Sequence, residues 1–540
     1  MQDLPIGIQT FEDIRNEDFV YVDKTKHLFN LVRKKGVYFL SRPRRFGKSL
    51  TLSTLEAMFQ GKAELFKGLY VEEWVKEQAK HPNPVIRLDM SVLKSYNSIE
   101  ELNEYLVNQL KVCLFLNNYN VSIDEKADIF FVNIITKLYH EFGSVVVLID
   151  EYDNPITDNM DNLEQAEKVR KYLRSFYLNL KTYSKYLRFV MITGISKFTK
   201  AGVFSGLNNL KDISISKEYG DILGYTQKEL ENNFGEWIDK SKNELSMSRE
   251  ELLEKIKEYY DGFSFDGITK VYNPFSVLNF FGDKEFKNYW YISGSPSFLH
   301  NYLQRHHLKN PDKYEEIVMP EMFLDKHEIE TAPLESFLFQ TGYLTIKKKE
   351  NGFLTLGYPN EEVKNALADM YLDDVYHIEG YLTLGNKLWK ALEDLEDDNA
   401  EELIKTFNLT LTGLPYEDFT STENKDKESE EFEAFIQSEY WYRSLFVMLL
   451  RGAGVIYYAE VHTYKGRSDV IINFKNKIVV VEFKYAKNSK VVASKRKQGK
   501  EQIQKYLLAY AQMNKKVIGI VLVANGETRQ IAMPKKRKNK

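Results

Sequence analysis

The segment VYFLSRPRRFGKSLTL, residues 37–52, places Gly47, Lys48 and Ser49 directly after an apolar run and at the start of an amphipathic stretch. This order predicts a strand, a tight loop and a helix. In such a loop the backbone N–H groups and the positive helix end hold phosphate, Lys48 reaches the terminal oxygens, and Ser49 offers a hydroxyl to Mg²⁺. A Gly-Lys-Ser triplet alone is weak evidence, because a lysine at a strand-to-helix junction is more often a surface charge.

The loop departs from the general phosphate-loop motif at its first position, where Arg42 stands in place of glycine. The motif is G-x-x-x-x-G-K-[ST], so only its second half is present in its usual form. We therefore predict an atypical loop, in which Arg44 and Arg45 add positive charge near the phosphates.

A pair of acidic residues later in the chain supplies the other half of a nucleotide site. The run VVVLI at 145–149 delivers Asp150 and Glu151 at the carboxyl end of a strand, where parallel sheets place ligand chemistry. We expect Asp150 to hold Mg²⁺ through water and Glu151 to polarise the attacking water. A further strand ends at Thr193, followed by Ser196. These two hydroxyl groups either sense the terminal phosphate or only cap a turn.

The chain is predicted to be an α/β protein of several domains, because its 540 residues exceed the roughly 250 to 300 that one core supports. Strand-like runs alternate with amphipathic stretches at the start, which indicates a parallel sheet covered by helices. A hairpin is expected around Asn351-Gly352. The predicted divisions are a nucleotide-binding domain at 1–215, a mainly helical region at 216–340, a connecting region with an acidic linker at 341–431, a compact αβββαβ domain at 432–530 and a basic tail at 531–540.

The cysteine content and the apolar stretches of the sequence indicate the compartment in which the protein works. Cys113 is the one cysteine in the chain, so neither an internal disulfide nor a cysteine-based zinc site is expected. The amino terminus lacks the pattern of a secretory signal, and the most apolar stretch, 445–450, is far shorter than the roughly 20 residues of a membrane span. We expect a soluble cytoplasmic protein with no membrane partner, and homo-oligomer formation is left open.

Charge is distributed unevenly along the chain. Residues 461–540 contain 20 Lys+Arg and 4 Asp+Glu, a net charge of +16, whereas the first 460 residues contain 54 and 74, a net charge of −20. A basic end on an acidic body indicates a surface for a polyanion, with DNA as the expected partner and RNA as the alternative. Six cations are expected on a loop that leads into a helix, where they would contact phosphates without reading sequence: Lys487, Lys490, Lys495, Arg496, Lys497 and Lys500.

A second constellation lies in this basic end. Asp469 falls on the second predicted strand of the αβββαβ unit, and Glu482 and Lys484 are two residues apart on the third. Residues i and i+2 of a strand share a face, so two carboxylates and one ammonium converge. Such a group can bind Mg²⁺ and leave the lysine to orient or deprotonate water for attack on a phosphodiester. The alternative is a cross-strand salt bridge on an exposed sheet face.

The N-terminal part resembles the AAA-ATPase-like domains of bacterial proteins. The resemblance rests on FVYVDKT at 19–25, SRPRRFGKS at 41–49 and DEYD at 150–153. In that family an arginine-rich loop replaces the glycine-led one, so Arg42 matches the family pattern. The resemblance implies an ATP-binding fold of the additional-strand type, with Asp150 and Glu151 as its acidic pair.

The αβββαβ unit resembles the PD-(D/E)XK nuclease superfamily, which shares the restriction-endonuclease-like fold. The superfamily pattern is a helical Glu, an Asp, Glu-x-Lys and a helical Gln, and Ser468 replaces the proline that usually precedes the Asp. The resemblance implies metal binding or catalysis for Glu439, Asp469, Glu482, Lys484 and Gln502. Glu433 and Glu460 are alternatives for the upstream acid, and Gln502 is alternatively a solvated helix residue.

Together these features predict an ATP- and Mg²⁺-dependent protein in which nucleotide state controls a nuclease. Two alternatives remain. In one, an ATP-switched module grips nucleic acid or a protein without cutting. In the other, the protein is a signalling ATPase whose C-terminal unit is structural, although the charge of +16 at that end speaks against it.

Overall fold

The computed structural model describes most of the chain in two compact units. The described residues are 1–91, 96, 98–160, 162–197, 202–292, 314–324, 333–372, 378, 380–414, 436–452, 458–463, 466–510 and 515–534, with backbone alone described at 458–463, 466–467 and 508–510. The first unit contains the described residues up to 292 and from 314 to 363, and the second contains those from 364 onward.

The first unit begins with a five-stranded parallel sheet of order β2-β3-β4-β1-β5. Its elements are α1 (Phe11–Asn16), α2 (Thr25–Val32), β1 (Gly36–Ser41), α3 (Lys48–Phe59), α4 (Glu72–Gln78), β2 (Val85–Asp89), α5 (Ile99–Leu116), α6 (Ala127–Phe142), β3 (Val145–Asp150), α7 (Asn154–Thr157), α8 (Leu163–Thr182), β4 (Leu187–Gly194) and β5 (Leu210–Asp212). All of β3 is buried, as a run of β-branched and aliphatic residues covered on both faces requires.

The predicted helical region follows in the same unit. Its helices are α9 (Gln227–Asn233), α10 (Gly235–Glu244), α11 (Arg249–Tyr260), α12 (Pro274–Asp283), α13 (Tyr289–Ile292) and α14 (Leu334–Thr341). An antiparallel sheet of order β6-β8-β7 accompanies them, with β6 (Ile317–Pro320), β7 (Thr345–Glu350) and β8 (Phe353–Gly357). The expected hairpin around Asn351-Gly352 is confirmed, and both turn residues have the positive φ, 51° and 79°, that a tight hairpin needs. Helix α15 (Glu361–Met370) comes next.

The second unit has the predicted αβββαβ order. Helix α18 (Glu439–Gly452) precedes β9 (Tyr458–Thr463), β10 (Gly466–Asn473), β11 (Lys477–Ala486), α19 (Val492–Tyr510), β12 (Lys516–Asn525) and the short β13 (Gln530–Ile531). The sheet order is β13-β12-β11-β10-β9, and the β11–β12 pair is the parallel one. The arrangement is α/β, as predicted.

The basic loop predicted at 487–500 is wrong in its conformation. A short 3₁₀ turn, Ser489–Val491, leads directly into α19, which already begins at Val492. The residues of this stretch are mostly Ala, Lys, Arg and Gln, which are good helix formers. Gly499 does not break the helix, and a Cβ there would lie 2.5 Å from Val521 of β12, so glycine permits close packing of α19 on the sheet.

Two helices from the predicted connecting region belong to the second unit. They are α16 (Tyr381–Glu393) and α17 (Glu401–Thr412). Lys477, the first residue of β11, donates to the carbonyls of Glu393 and Leu395 at the end of α16. Trp389 stacks on Phe474 of the β10–β11 turn with ring centroids 4.5 Å apart. None of the described helices in either unit is long and apolar enough to cross a membrane.

Arg42 anchors the phosphate-loop segment to the body of the first unit. Its guanidinium is 1% exposed, donates to the carbonyls of Ser41, Ser214 and Tyr219, and lies 3.9 Å from the centre of the Phe265 ring. Burial lowers the pKa of Arg42 to about 9. The arginine that replaces the first motif glycine is therefore a packing element, and it ties β1 to segments about 170 and 220 residues further on.

Arg42→Met should lower the thermal unfolding midpoint of the full chain substantially, because three buried carbonyls lose a charged donor. Hydrogen bonds to charged groups contribute about 1.5 to 3 kcal/mol each, so a loss of about 3 kcal/mol or more is expected. Arg45→Met is the matched control, since Arg45 is an exposed arginine of the same loop. Equal midpoints for Arg42→Met and the wild-type chain would contradict the anchoring role.

Candidate functional site

The phosphate-loop segment turns through two left-handed positions before α3. Arg45 has φ 66° and Gly47 has φ 92°, and α3 begins at Lys48. Gly47 suits its position because glycine adopts positive φ without steric cost. A non-glycine residue in this region is uncommon, and the strain at Arg45 is typical of a ligand-binding loop. The structure therefore gives this segment the strand, loop and helix that its sequence predicts.

The Lys48 ammonium lies at the centre of the loop. Its side chain is 3% exposed, and Nζ donates to the carbonyls of Arg42 at 3.1 Å and Pro43 at 3.2 Å. The same Nζ lies 3.4 Å from Oε1 of Glu151. A buried ammonium is costly unless it is paired, so these groups fix its position. Lys48 thus joins the two halves of the predicted nucleotide site.

The acidic pair lies at the carboxyl end of β3, beside the end of β4. Asp150 is buried and accepts hydrogen bonds from the Thr193 hydroxyl at 2.6 Å and from the Glu151 N–H at 3.1 Å. Glu151 has φ 49°, and burial raises its pKa despite the opposing effect of Lys48. Thr193 is therefore oriented by Asp150. The backbone N–H of Ser196 donates to a different carboxylate, that of Asp153.

Sequence reasoning missed Asp153, which organises the neighbouring turn. It is 1% exposed and accepts hydrogen bonds from the N–H groups of Ile195 and Ser196. A Cβ on Gly194 would lie 2.4 Å from its carboxylate, so glycine is needed at that strand end. The signal was present in the DEYD motif, but only the first two acids lie at the strand end where chemistry is expected.

A cavity of about 740 Å³ opens beside the loop. One wall is polar and includes Arg44, Arg45, Lys48, Ser49 and Glu151, with Asn154 and Asp158 nearby. The other wall is largely apolar, and it comes from the N-terminal segment and from the helical region: Pro5, Ile8, Ile14, Tyr225, Pro274, Phe275 and Leu278. A phosphate-facing wall and an apolar wall together suit a nucleotide. The sequence did not predict the apolar wall, because its residues are as far apart in the chain as Pro5 and Leu278.

The second site is centred on the Lys484 ammonium. Nζ lies 2.9 Å from Oε1 of Glu482, 3.0 Å from Oε1 of Glu439 and 2.7 Å from the carbonyl oxygen of Phe483. Burial lowers the pKa of Lys484, but Glu482 and Glu439 outweigh that effect and raise it. The structure therefore brings together three of the residues named by the superfamily pattern, from α18 and β11.

Glu482 and Asp469 form the acidic side of this site. Glu482 is 2% exposed, and within the described residues its Oε2 has no hydrogen-bond partner. Burial and repulsion by Asp469 raise the pKa of Glu482 to about 7. Asp469 accepts from the Phe483 N–H at 2.8 Å and lies 3.5 Å from Arg443 Nη1. The predicted alternative, a salt bridge on an exposed sheet face, does not describe this site fully. The Glu482–Lys484 pair is buried, and one Glu482 oxygen has no partner within the described residues.

The donor set fits a divalent cation. A buried carboxylate oxygen without a partner, next to a second carboxylate, is stabilised by a cation that binds both. No group of three or more His, Cys, Asp or Glu side chains in the described part of the chain is already arranged around a common metal position. Lys484 instead bridges Glu439 and Glu482. Asp469 and Glu482 are thus two residues that could share a metal ion.

The other residues predicted for the C-terminal site differ from one another in burial and in hydrogen bonding. Gln502 lies on α19, and its buried Oε1 has no partner within the described residues, unlike a solvated glutamine. Glu433 and the Glu460 side chain lie outside the described residues. Arg496 donates to the carbonyls of Ala532 and Met533, so it joins α19 to the end of the sheet. Lys487, Lys490 and Lys497 are exposed.

Two family models match the chain, one in its N-terminal part and one in its C-terminal part. Residues 5–204 match the family model described as predicted AAA-ATPase, and residues 437–533 match the PD-(D/E)XK nuclease superfamily. No solved structure matches the chain. A protein of Azotobacter chroococcum mcd 1, described as an uncharacterized protein in the vnfD 5' region, is 32% identical over 492 residues, which cover 89% of each chain. The chain therefore belongs to the same family as this Azotobacter protein, and it carries a predicted AAA-ATPase domain and a PD-(D/E)XK nuclease superfamily domain.

Proposed function

We propose that the protein is a cytoplasmic ATPase whose nucleotide state controls a Mg²⁺-dependent nuclease that acts on DNA. The observation that carries the nuclease proposal is the buried Glu482–Lys484 pair, with one Glu482 oxygen unused and Asp469 beside it. The ATPase proposal rests on Lys48, which lies between the loop carbonyls and Glu151. The domain division at 1–215 and 432–530 is supported by the matched ranges 5–204 and 437–533.

In the nucleotide site, each residue has a distinct task. The backbone of the loop, Lys48 and the two loop arginines would bind the phosphates, and the apolar wall with Phe275 would contact the base. Ser49 and Asp150 would hold Mg²⁺, which neutralises charge on the transferred phosphoryl group. Thr193 keeps Asp150 oriented, and Glu151 polarises the attacking water once phosphate competes for Lys48.

In the second site, Asp469 and Glu482 would hold Mg²⁺, with Glu439 as a further acidic group. The metal supplies Lewis-acid activation of water and of the scissile phosphate. Lys484 would then orient the water, and Gln502 would contribute a buried amide oxygen from α19. Because the folded pKa of Glu482 is raised to about 7, protons compete with a metal below that pH. Metal affinity should therefore increase as pH rises through about 7.

The second candidate is a module that binds nucleic acid, or a protein, without cutting it. Exposed lysines on and before α19 favour polyanion binding in either case, and RNA is the alternative to DNA. The two candidates differ in whether Mg²⁺ or Mn²⁺ permits cleavage. Purified full-length protein assayed for DNA cleavage with and without each metal and ATP distinguishes them.

Lys48→Ala should weaken ATP binding at least tenfold, because the terminal phosphates lose a buried charged donor that contributes about 1.5 to 3 kcal/mol. Isothermal titration with ATP and Mg²⁺ measures the change. Lys80→Ala is the control, because Lys80 is an exposed residue that pairs with Glu77 outside the cavity. Equal affinity in wild type and Lys48→Ala would remove Lys48 from the phosphate site.

Glu151→Gln should retain ATP and slow its hydrolysis, since an amide can hydrogen-bond but cannot accept a proton. Loss of a general base lowers the rate roughly 10²- to 10⁴-fold. Steady-state phosphate release and ATP affinity should be measured on the same preparation. Turnover at the wild-type rate would show that Glu151 does not act on the water.

Asp469→Ala, Glu482→Ala and Lys484→Ala should each abolish DNA cleavage. The first two remove metal ligands, while the third leaves the acids and removes the group that orients water. DNA binding should persist in all three variants and weaken steeply with salt, because lysines other than Lys484 contact the phosphates. Lys405→Ala, an exposed lysine of α17 that pairs with Glu401, is the control for cleavage. A wild-type protein that binds DNA without cleaving it under any metal supports the binding module instead.

A further inference from the structure

An aromatic cluster lies at the edge of the first sheet opposite the phosphate loop. Strands β1, β3 and β4 are parallel and adjacent, and the register aligns Gly36 with Phe189 and Val145 with Leu187. The segments that precede these strands therefore meet at the amino edge of the sheet. None of these residues takes part in either site described above. We call this region, formed by 33–35, 139–140 and 181–186, the amino-edge surface.

Four rings from two of these segments contact one another. Tyr186 is central, with ring centroids 4.7 Å from Tyr139 and 6.4 Å from His140. Tyr183 stacks on Tyr186 at 6.2 Å, with planes 20° apart. His140 is exposed and the tyrosines are half-buried. Within the described residues, Tyr183 has no ring neighbour other than Tyr186, so it is the outermost ring of the stack.

Cations occur in the same segments as these rings and in the segment before β1. Arg33, Lys34 and Lys35 precede β1, and Lys181 and Lys185 lie on either side of Tyr183. All five are exposed, and Lys185 Nζ lies 4.6 Å from the centre of the Tyr186 ring. Lys35 donates to the Lys185 carbonyl at 3.4 Å, which places the two basic segments side by side. Their charge of +5 contrasts with the net charge of −20 over the first 460 residues.

The acidic residue that adjoins this surface in sequence already has a basic partner. Glu141 follows His140 in α6, but its carboxylate pairs with Lys137 one turn earlier at 2.5 Å. Segments 33–35 and 181–186 contain no acidic residue. Surface lysines alone would indicate only a solvated face. Here they flank stacked rings, and that combination is the one that single strands use, with cations for phosphates and ring faces for bases.

We propose that the amino-edge surface binds single-stranded DNA, independently of the nuclease unit. The choice of DNA rests on the proposed function, whereas the single-stranded form follows from the stacked rings, because bases in a duplex do not expose their faces. Tyr183 stacks on a base, and the five cations contact the flanking phosphates. Because neither contact reads base edges, binding is independent of sequence and weakens with salt.

Photo-crosslinking of the full-length protein to a single-stranded oligonucleotide that contains 5-iododeoxyuridine tests the site directly. EDTA is included so that metal-dependent cleavage cannot occur. Mass spectrometry of the crosslinked peptides should identify residues 181–188. Crosslinks confined to 432–533 would overturn this proposal while leaving DNA as the ligand of the nuclease domain. Crosslinks absent everywhere would overturn it as well, and the cleavage assay then decides the nuclease proposal separately.

Affinity measurements on matched variants complete the test. Tyr183→Ala should weaken binding of a single-stranded oligonucleotide roughly tenfold, whereas Tyr183→Phe, which keeps the ring, should bind like wild type. Tyr70→Ala, an exposed tyrosine elsewhere on the unit, should also bind like wild type. Lys34→Gln with Lys35→Gln should reduce the salt dependence, and Lys137→Gln should not. Equal affinity for Tyr183→Ala and wild type, or tighter binding of RNA or duplex DNA than of single-stranded DNA, would overturn the proposal.

Discussion

Both candidate sites depend on the same physical constraint, a lysine ammonium that is buried and must be paired. Lys48 is 4% exposed and Lys484 is 5% exposed. Burial of an unpaired charge costs several kcal/mol, so each ammonium recruits carbonyl oxygens and a carboxylate. For Lys48 these are two loop carbonyls and Glu151, and for Lys484 they are the Phe483 carbonyl, Glu482 and Glu439. In each site the lysine thus holds some of the proposed acids in place, Glu151 in the first and Glu482 and Glu439 in the second, while Asp150 and Asp469 are held by other groups.

The same pairing explains why ligands would change each site. A phosphate brought to Lys48 competes with Glu151 for the ammonium, so nucleotide binding would free the carboxylate that is proposed to act on water. In the second site, burial and the repulsion by Asp469 together raise the Glu482 pKa to about 7, and a divalent cation would compensate both effects. Glu482 would then share its negative charge between the metal and Lys484. One constraint therefore links ligand binding to the protonation and position of the reacting groups in both units.

Sequence predicted the elements whose signals are local. Short sequence patterns predict three of these elements. They are the strand, loop and helix at 37–52, the acidic pair at the end of β3, and the placement of Glu482 and Lys484 on one face of a strand. Sequence did not predict the contacts that join distant segments: Arg42 with Phe265, the apolar cavity wall near Phe275, and α16 with the β10–β11 turn. The charge of the basic stretch after β11 predicted a loop, whereas its Ala, Lys, Arg and Gln residues favour the helix that the structure has from Val492. Charge patterns indicate partners, and they do not determine backbone conformation.

The backbone conformation at Glu151 is constrained by the residues on both sides of it. Non-glycine residues in the left-handed region are uncommon and cost free energy, yet Glu151 has φ 49° directly after a fully buried strand. With Asp150 held by Thr193 and the following turn held by Asp153, the chain has little freedom to relax between them. The strained conformation directs the Glu151 carboxylate to Lys48 and to the cavity. A residue in an ordinary extended conformation would continue the alternation of β3, so the strain is the local cost of presenting a carboxylate beside the phosphate loop.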